Sequence, residues 1–245
     1  MTSSPTALIQ ARMGSHRLPG KSLLDIHGQT MLGHVIERSR RASVIGAVAV
    51  ATSTGAEDDP IAALCDGLAV SCFRGSPSHV LERMTRAATA LGAATVVRVT
   101  ADNPLVGPDV IDHVVDHHRA CGADITTTYH SKSFPNGTVV SVLEVDAMER
   151  LCALDVPKGT REHIVSDLEF LKRHCAVEVV EAPTAWRRYD LRYCVDEAED
   201  FEVVQRIVEH FAAQGHDPST DDILRFLDTH PEVRRRNAEL AARGY

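Results

Sequence analysis

Residues 7–21, ALIQARMGSHRLPGK, decide the fold of this chain. A short apolar strand, Ala7-Leu8-Ile9, runs directly into a loop that ends at Lys21. Gly14 and Gly20 allow the backbone to approach a phosphate chain and to point its N–H groups at the phosphate oxygens. The loop also carries three positive side chains suited to phosphate, at Arg12, Arg17 and Lys21. The pattern predicts an anion-binding loop, with an ordinary surface loop as the alternative.

The loop must be distinguished from a P-loop. Gly20-Lys21-Ser22 is similar to the end of a Walker A motif, and Val96–Asp102 is similar to a Walker B strand. However, five residues separate Gly14 from Gly20, one more than the Walker A motif allows. The chain also contains no G-x-G-x-x-G dinucleotide motif. The loop therefore belongs to neither of these two nucleotide-binding classes.

Around this loop, short β-branched runs alternate with longer amphipathic segments. This alternation is typical of an α/β protein in which helices cover both faces of a mostly parallel sheet, a three-layer α/β/α arrangement. The predicted strands are Thr6–Gln10, Val44–Ala51, Ala69–Phe73, Thr95–Thr100 and Asp124–Thr128. The predicted helices are Met31–Arg41, Ile61–Cys65, Ser78–Leu91 and Asp109–Cys121.

After Tyr129 the pattern becomes less regular. We expect a loop at residues 130–137, an apolar run at Thr138–Val145 and a helix near Asp146–Leu154. A helix over Arg161–Arg173, strands at Ala176–Glu181 and Tyr189–Val195, and a helical tail follow. No linker is evident, so residues 1–245 are predicted to form one domain, with residues 130–190 as a subregion for acceptor binding or dimerisation. The apolar run fits a homodimer interface and an internal strand equally well.

Composition excludes several classes of function. The net charge of -8 argues against general binding to nucleic acid or to anionic membranes. No apolar run approaches the length of about 20 residues that spans a bilayer. The start, Met1–Thr6, has no secretory signal pattern, so a cytoplasmic location is expected. The six cysteines include no C-x-x-C pair, and the histidines form no zinc motif.

The loop matches a longer pattern, A-R-x-G-S-x-R-x-P-x-K, at every fixed position. These positions are Ala11, Arg12, Gly14, Ser15, Arg17, Pro19 and Lys21. The pattern resembles the first motif of the sugar-activating cytidylyltransferases, which include CMP-KDO and CMP-acylneuraminate synthetases. Further segments resemble the branch related to spore-coat polysaccharide biosynthesis, among them Val97–Pro104, Arg161-Glu162-His163 and Leu191–Asp196. The resemblance covers nearly the whole chain and implies a nucleotide-diphospho-sugar transferase (Rossmann-like) fold.

Two acidic residues follow predicted strands. Asp102 comes after Thr95–Thr100, and Asp196 comes after Leu191–Val195. Carboxylates at the carboxyl edge of an open α/β sheet lie where ligands bind, and two of them together can hold Mg²⁺ on a triphosphate. For a single Asp after a strand, a helix cap or turn is the structural alternative. The family resemblance favours Asp102 and Asp196 as metal ligands.

The resemblance implies transfer of CMP from CTP to an acceptor with release of pyrophosphate. Arg12, Lys21 and Asp102 are then the predicted catalytic residues. The predicted nucleotide-binding residues are Ala11, Arg12, Met13, Gly14, Ser15, Arg17, Lys21, Thr52, Ser53, Arg83, Thr100 and Ala101. Thr52 and Ser53 could equally be turn residues. A non-catalytic nucleotide-binding homologue remains an alternative, and a P-loop-like kinase or ATPase is a weaker one.

The predicted acceptor region departs from the family pattern. Relatives tend to carry acidic residues after a P-x-G turn, whereas Pro135–Ser141 contains no carboxylate, and His79 replaces another acidic residue. Fewer carboxylates would favour an anionic acceptor, so we expect a small acidic molecule: a sugar, sugar phosphate or phosphonate. The hypothesis favours phosphate or phosphonate over a 3-deoxy-ulosonic acid. Cations that could contact the acceptor, or simply lie on the surface, are Lys132, Lys158, Arg161, Arg187 and Arg188.

Overall fold

A seven-stranded sheet forms the centre of the protein in a computed structural model that describes residues 4–243. Residues 1–3 and 244–245 lie outside that range. Part of Met1–Thr6, the start that was predicted to carry no secretory signal, is therefore outside the described residues. The strands are β1 (Thr6–Gln10), β2 (Asp25–Ile26), β3 (Gln29–Thr30), β4 (Ala47–Ser53), β5 (Ser71–Gly75), β6 (Thr95–Thr100), β7 (Ile125–Thr127), β8 (Ser141–Glu144) and β9 (Val177–Val179).

The order across the sheet is β5-β4-β1-β6-β8-β7-β9, and β2 pairs with β3 in a separate hairpin. β8 runs antiparallel to β6 and β7, whereas the other neighbouring strands of the large sheet run parallel. The predicted α/β class with a mostly parallel sheet is therefore confirmed.

Helices cover both faces of this sheet. The helices are α1 (Met31–Arg41), α2 (Asp59–Gly67), α3 (Val80–Ala90), α4 (Pro108–Cys121), α5 (Val145–Cys152), α6 (Lys158–Glu162), α7 (Leu168–His174), α8 (Ala198–Ala212), α9 (Thr220–Thr229), α10 (Pro231–Arg234) and α11 (Ala238–Arg243). Among them α8, α9 and α10 pack in a separate apolar cluster beside the sheet. No helix within residues 4–243 is both long and apolar enough to cross a membrane.

Strand β1 shows why the centre is apolar on consecutive positions. Ala7, Leu8 and Ile9 are all fully buried, because neighbouring side chains point to opposite faces and both faces are covered. Leu8 packs in the core beneath α3 and α5, and Ile9 packs in the core beneath α1 and α4. The run Thr138–Val145 has the same explanation, since it contains β8 between β6 and β7. Of the two alternatives for that run, the internal strand holds.

Two predicted elements were wrong. The helix expected over Arg161–Arg173 is two helices, α6 and α7, because His163 leaves the helical conformation (φ -121°, ψ 52°). The chain between α6 and α7 also turns Ile164 inward, where it is fully buried. The strand expected at Tyr189–Val195 is an extended segment with one isolated bridge, between Asn136 and Arg192. Its backbone runs beside the loop at Asn136 and not beside a strand, so no ladder of hydrogen bonds forms.

The sheet order reverses direction between β1 and β6, which places a crevice at their carboxyl ends. The N-terminal loop leaves β1 at this point, and Asp102 follows β6. The extended segment is tied to the same place, because the Val195 N–H donates to the Asp102 carbonyl over 2.8 Å. Three separate stretches of sequence therefore meet at the crevice.

Candidate active site

The loop after β1 is shaped mainly by its own backbone. The Ser15 and Gly20 N–H groups both donate to the Met13 carbonyl, at 2.8 and 3.3 Å. Gly20 has a left-handed φ of +72°, a conformation that glycine adopts at little cost, and the helical turn Lys21–Leu23 begins directly after it. The Ser22 hydroxyl then donates to the Arg12 carbonyl over 3.0 Å. The loop thus fixes the backbone from which the Lys21 side chain extends.

Asp58, which the sequence analysis missed, ties this loop to the end of β4. One carboxylate oxygen accepts the Met13 N–H at 2.7 Å, and the other accepts the Ser53 N–H and hydroxyl. Asp58 is almost completely buried. Ser53 therefore has a structural task here, that of orienting Asp58.

Lys21 joins the two predicted metal-binding carboxylates. Its Nζ donates to Asp196 Oδ1 over 2.9 Å, to Asp102 Oδ2 over 3.3 Å and to the Val195 carbonyl over 2.6 Å. Only 12% of the Lys21 side chain is exposed, against 35% for Asp102 and 21% for Asp196. The structure thus brings together a lysine and two carboxylates that lie 81 and 175 residues away from it in the chain.

Neighbouring side chains orient both carboxylates. The Thr100 hydroxyl donates to Asp102 Oδ1 over 2.6 Å and accepts from the Asn103 side chain. Arg192 donates from Nη2 to Asp196 Oδ2 over 2.9 Å. The same Arg192 forms two hydrogen bonds, of 2.8 and 2.9 Å, with the fully buried Asp200. Asp102 and Asp196 are therefore held by fixed partners on the side away from Lys21.

The ionisation of this cluster follows from its contacts. Burial alone would lower the pKa of Lys21, but Asp102 and Asp196 outweigh it, so that the pKa is raised above its ordinary value of 10.5. For Asp196 burial acts in the opposite sense and is outweighed by Lys21, Arg17 and Arg192, so its pKa is lowered. Both groups are charged at neutral pH, so the cluster of Lys21, Asp102 and Asp196 carries paired charges.

The chemistry of the donor set fits a magnesium ion that arrives with its substrate. Carboxylate oxygens of Asp102 and Asp196 converge on one cation, the Lys21 ammonium. Magnesium is typically held by one or two carboxylates together with phosphate oxygens and water. Among residues 4–243 there is no group of three or more His, Cys, Asp or Glu side chains able to hold a metal. The remaining ligands would have to come from a triphosphate and from water.

Two cavities meet at this cluster. The first, of about 350 Å³, is walled by the N-terminal loop, including Arg12, Gly14, Ser15, Arg17 and Lys21. The second, of about 370 Å³, extends along the far side, where an apolar wall includes Val139, Val165 and Leu240. Both cavities share the residues Arg17, Arg98, Thr100, Asp102, His163 and Asp196. The arrangement can hold two molecules with their reacting ends at Asp102 and Asp196.

The predicted nucleotide-binding residues fall into three groups. Arg12, Gly14, Ser15, Arg17, Lys21, Thr100 and Ala101 line the loop cavity. Ala11 and Met13 shape the loop from behind, since Ala11 is buried and donates its N–H to the Ala51 carbonyl. Thr52 and Ser53, at the end of β4, and Arg83, on α3, are buried and line neither cavity.

Arg83 has buried donors that lack a partner within residues 4–243. Its Nη1 donates to the Ser76 carbonyl over 2.7 Å, but its Nε and Nη2 have no hydrogen-bond partner among the described residues. The Thr52 hydroxyl is unpartnered in the same sense. Burial lowers the pKa of Arg83, with Asp58 partly compensating. Buried donors without partners are rare and costly, so an acceptor-rich group at this place would stabilise them.

The structure does not bring the five predicted acceptor cations to either cavity. Arg188 pairs with Asp190 and Asp228, and Arg161 pairs with Asp155. Arg187 donates to the Ala182 carbonyl, while Lys132 and Lys158 are exposed. Local partners satisfy these three arginines, and the acceptor contacts expected for the five residues stay a prediction.

Other charged and polar residues, which were not among the predicted site residues, line the cavities. His163 lines both cavities, and Glu162 beside it forms an ion pair of 3.1 Å with Arg12. Arg98 and Arg192 line the second cavity. A signal for both arginines was present in the sequence, since each interrupts an apolar run that reads as a buried strand. For His163 the signal was the family-like segment Arg161-Glu162-His163, but its place at the cavities depends on the break between α6 and α7.

Comparisons with known proteins show which proteins this chain resembles. A family model described as cytidylyltransferase matches residues 6–210. The chain is 30% identical over 238 residues to an uncharacterised protein of Methanocaldococcus jannaschii, covering 97% of this chain and 96% of that one. It is 29% identical to the spore coat polysaccharide biosynthesis protein SpsF of Bacillus subtilis, covering 92% and 95%. A cytidylyltransferase structure from Leptospira borgpetersenii superposes with a TM-score of 0.85 at 27% identity, covering 94% and 96%.

Proposed function

Because the chain belongs to the cytidylyltransferase family, we propose that it transfers CMP from CTP to a small acidic acceptor and releases pyrophosphate. One observation carries the proposal: Lys21 bridges Asp102 and Asp196 at the junction of two cavities. A sugar, a sugar phosphate or a phosphonate is the proposed acceptor. The similarity to a protein named for polysaccharide biosynthesis favours a sugar-related molecule.

In this proposal the loop cavity holds the triphosphate. Arg12, Arg17 and Lys21 supply positive charge there, and the glycines leave the backbone accessible. Gly14 has no atom within 4 Å of the position where a Cβ would lie, so a ligand can approach its backbone closely. The unpartnered donors of Arg83 are proposed to bind the pyrimidine, whose ring carbonyl is an acceptor. The choice of CTP over other triphosphates rests on the family.

The second cavity is proposed to hold the acceptor. Its nucleophilic oxygen would lie at the junction and attack the α-phosphorus in line with the departing pyrophosphate. The new bond from the acceptor oxygen to the α-phosphorus forms as the bond from that phosphorus to the α–β bridging oxygen breaks. The bridging oxygen leaves with pyrophosphate, and an acceptor hydroxyl releases its proton to water. Positioning and charge neutralisation are the main contributions of the protein to such a step.

Each charged residue then has a defined task. Lys21 and Arg12 stabilise the negative charge of the triphosphate and of the leaving pyrophosphate. Asp102 and Asp196 would hold magnesium, which when bound neutralises phosphate charge and activates the acceptor oxygen. Thr100 and Arg192 keep the two carboxylates oriented toward the junction.

Lys21→Met and Asp102→Asn test the proposal, with Lys172→Met, an exposed lysine on α7, as the matched control. Pyrophosphate release from CTP, Mg²⁺ and a panel of sugars, sugar acids, sugar phosphates and phosphonates is measured. We expect a loss of about 10³-fold for the two site variants, in the range found when a charge-stabilising donor is removed. The control should retain wild-type turnover, and circular dichroism should show all variants folded.

Three outcomes would contradict the proposal or its residue roles. CTP binding without pyrophosphate release for any acceptor in the panel would favour a non-catalytic nucleotide-binding protein. Release of phosphate and a nucleoside diphosphate, with no pyrophosphate, would favour the P-loop-like kinase or ATPase alternative. Near-normal turnover of Lys21→Met or Asp102→Asn would remove the assigned catalytic roles.

A further inference from the structure

Arg98 is a charged residue in the middle of a buried strand. It lies on β6 between Val97 and Val99, both fully buried, and is itself only 5% exposed. Its Nε and Nη2 both donate to the same oxygen, Gln10 Oε1, at 3.1 and 2.7 Å. Gln10 is the last residue of β1, the adjacent strand. The side-chain amide of Gln10 therefore fixes one edge of the guanidinium.

The charge of Arg98 is not neutralised by a direct partner. Burial lowers its pKa to about 10, and the more distant Asp102 compensates only in part. In the described part of the chain Arg98 forms no ion pair, since its hydrogen bonds go to a neutral amide. A buried charge is costly unless it is paired, so this position favours an anionic ligand.

The other arginines of the second cavity are already paired. Arg17 contacts Asp196 at 3.0 Å and Glu197 at 3.5 Å. Arg192 contacts Asp196 and Asp200, both below 3.0 Å. An anion in this cavity can therefore bind Arg98 without facing a carboxylate on the same guanidinium, whereas at Arg17 or Arg192 it would lie beside the carboxylates already bound there.

Arg98 also lies where the two cavities meet. It lines both cavities, as do Thr100 and Asp102, which follow it in the chain. Under the proposed function, Arg12, Arg17 and Lys21 bind the triphosphate in the loop cavity. In the second cavity Arg98 stands beside Tyr129 and the apolar Val139 and Val165. A molecule whose oxygen reaches the junction can thus present a nearby acidic group to Arg98.

We propose that Arg98, oriented by Gln10, binds an oxyanion of the acceptor and makes the enzyme selective for acidic acceptors over neutral sugars. This inference rests on the proposed function and identifies the residue that sets its substrate class. A carboxylate and a phosphate or phosphonate share the chemistry that a guanidinium recognises, namely two anionic oxygens within reach of its N–H groups.

The test compares Arg98→Gln and Arg98→Lys with Arg86→Gln, a control at an exposed arginine of α3. The acceptor panel contains matched compounds that carry a carboxylate, a phosphate, a phosphonate or no charge. We expect Arg98→Gln to raise the KM for the acidic acceptor about 100-fold, with CTP affinity changed less than about threefold. Arg98→Lys keeps the charge but loses the fork, so it should lie between wild type and Arg98→Gln.

A binding measurement keeps this test separate from turnover. Acetate, inorganic phosphate and methylphosphonate are titrated calorimetrically into the enzyme saturated with CTP and Mg²⁺. Binding that is lost in Arg98→Gln and kept in Arg86→Gln supports the inference even without turnover, and the preferred anion identifies the acidic group. Equal anion binding by Arg98→Gln and wild type, or a main loss in CTP affinity, would overturn it. Absence of pyrophosphate release alone would count against the proposed function instead.

Discussion

Asp200 supports the candidate site through Arg192, and we predict that Asp200→Ala strongly lowers the free energy of unfolding. Its carboxylate accepts hydrogen bonds from Arg192 at 2.8 and 2.9 Å and from the Asn237 side chain at 2.8 Å. It also accepts the N–H groups of Asp196 and Glu197, at 3.0 and 3.2 Å. Alanine leaves the Arg192 charge buried without its main partner.

The magnitude follows from this burial. The side chains of Asp200 and Arg192 are 0% and 5% exposed, so solvent cannot replace the lost partner. Breaking a buried ion pair from one side costs about 3–5 kcal/mol. For a chain of this size, about 2–4 °C of melting temperature is lost per kcal/mol, which gives a decrease of about 6–20 °C. Turnover should fall as well, because Arg192 also orients Asp196.

Urea denaturation followed by circular dichroism measures the free energy of unfolding. Asp228→Ala is the control, because Asp228 is half exposed in its ion pair with Arg188 and should cost less than about 1 kcal/mol. The double variant Arg192→Met/Asp200→Leu removes both charges and should be more stable than Asp200→Ala. If Asp200→Ala is destabilised no more than the control, the buried network does not hold the site as described.

Two further predictions concern local structure. Gly20→Ala should cost about 1–2 kcal/mol because of the left-handed φ of +72°, whereas Gly14→Ala, with no atom within 4 Å, should leave stability unchanged; equal unfolding free energies would contradict this. Hydrogen bonds from His216 and Ser219 lower the pKa of Asp222 to about 2, so its stabilisation is present above the ordinary value of 3.8 and is lost as the pH falls toward 2. In acid titrations Asp222→Asn should lose less stability over that range, and an unchanged pH profile would refute the assignment.

Sequence patterns correctly predicted those helices and strands whose bounds are set by nearby residues in the chain. Thr6–Gln10 and Met31–Arg41 have the predicted bounds, since apolar spacing and a capping threonine, Thr30, define them within the sequence itself. The segment Tyr189–Val195 has the apolar pattern of a strand, but its hydrogen-bond partner is the loop at Asn136. Whether an extended run joins a sheet depends on its distant neighbours, which the pattern does not contain.

The same limit explains the candidate site. Lys21, Asp102 and Asp196 were recognisable because each stands at a strand end or in a motif, and the fold brings strand ends together. The acceptor cations were chosen by charge alone, which does not distinguish a ligand contact from a surface pair such as Arg188 with Asp228. Arg98 carried the better signal, a charge flanked by buried valines, because such a position is costly without a functional reason.

The paired charges at the junction also constrain how the substrate binds. Lys21 donates its three N–H groups to Asp102, Asp196 and the Val195 carbonyl, so a triphosphate that engages this ammonium displaces carboxylates. The displaced carboxylates would then face phosphate oxygens, and repulsion between them would oppose binding. A divalent cation between the two groups removes this repulsion, and both carboxylates remain partly exposed to receive it. We therefore expect nucleotide and metal to bind with positive coupling, as an exchange of ion pairs instead of an addition to an empty site.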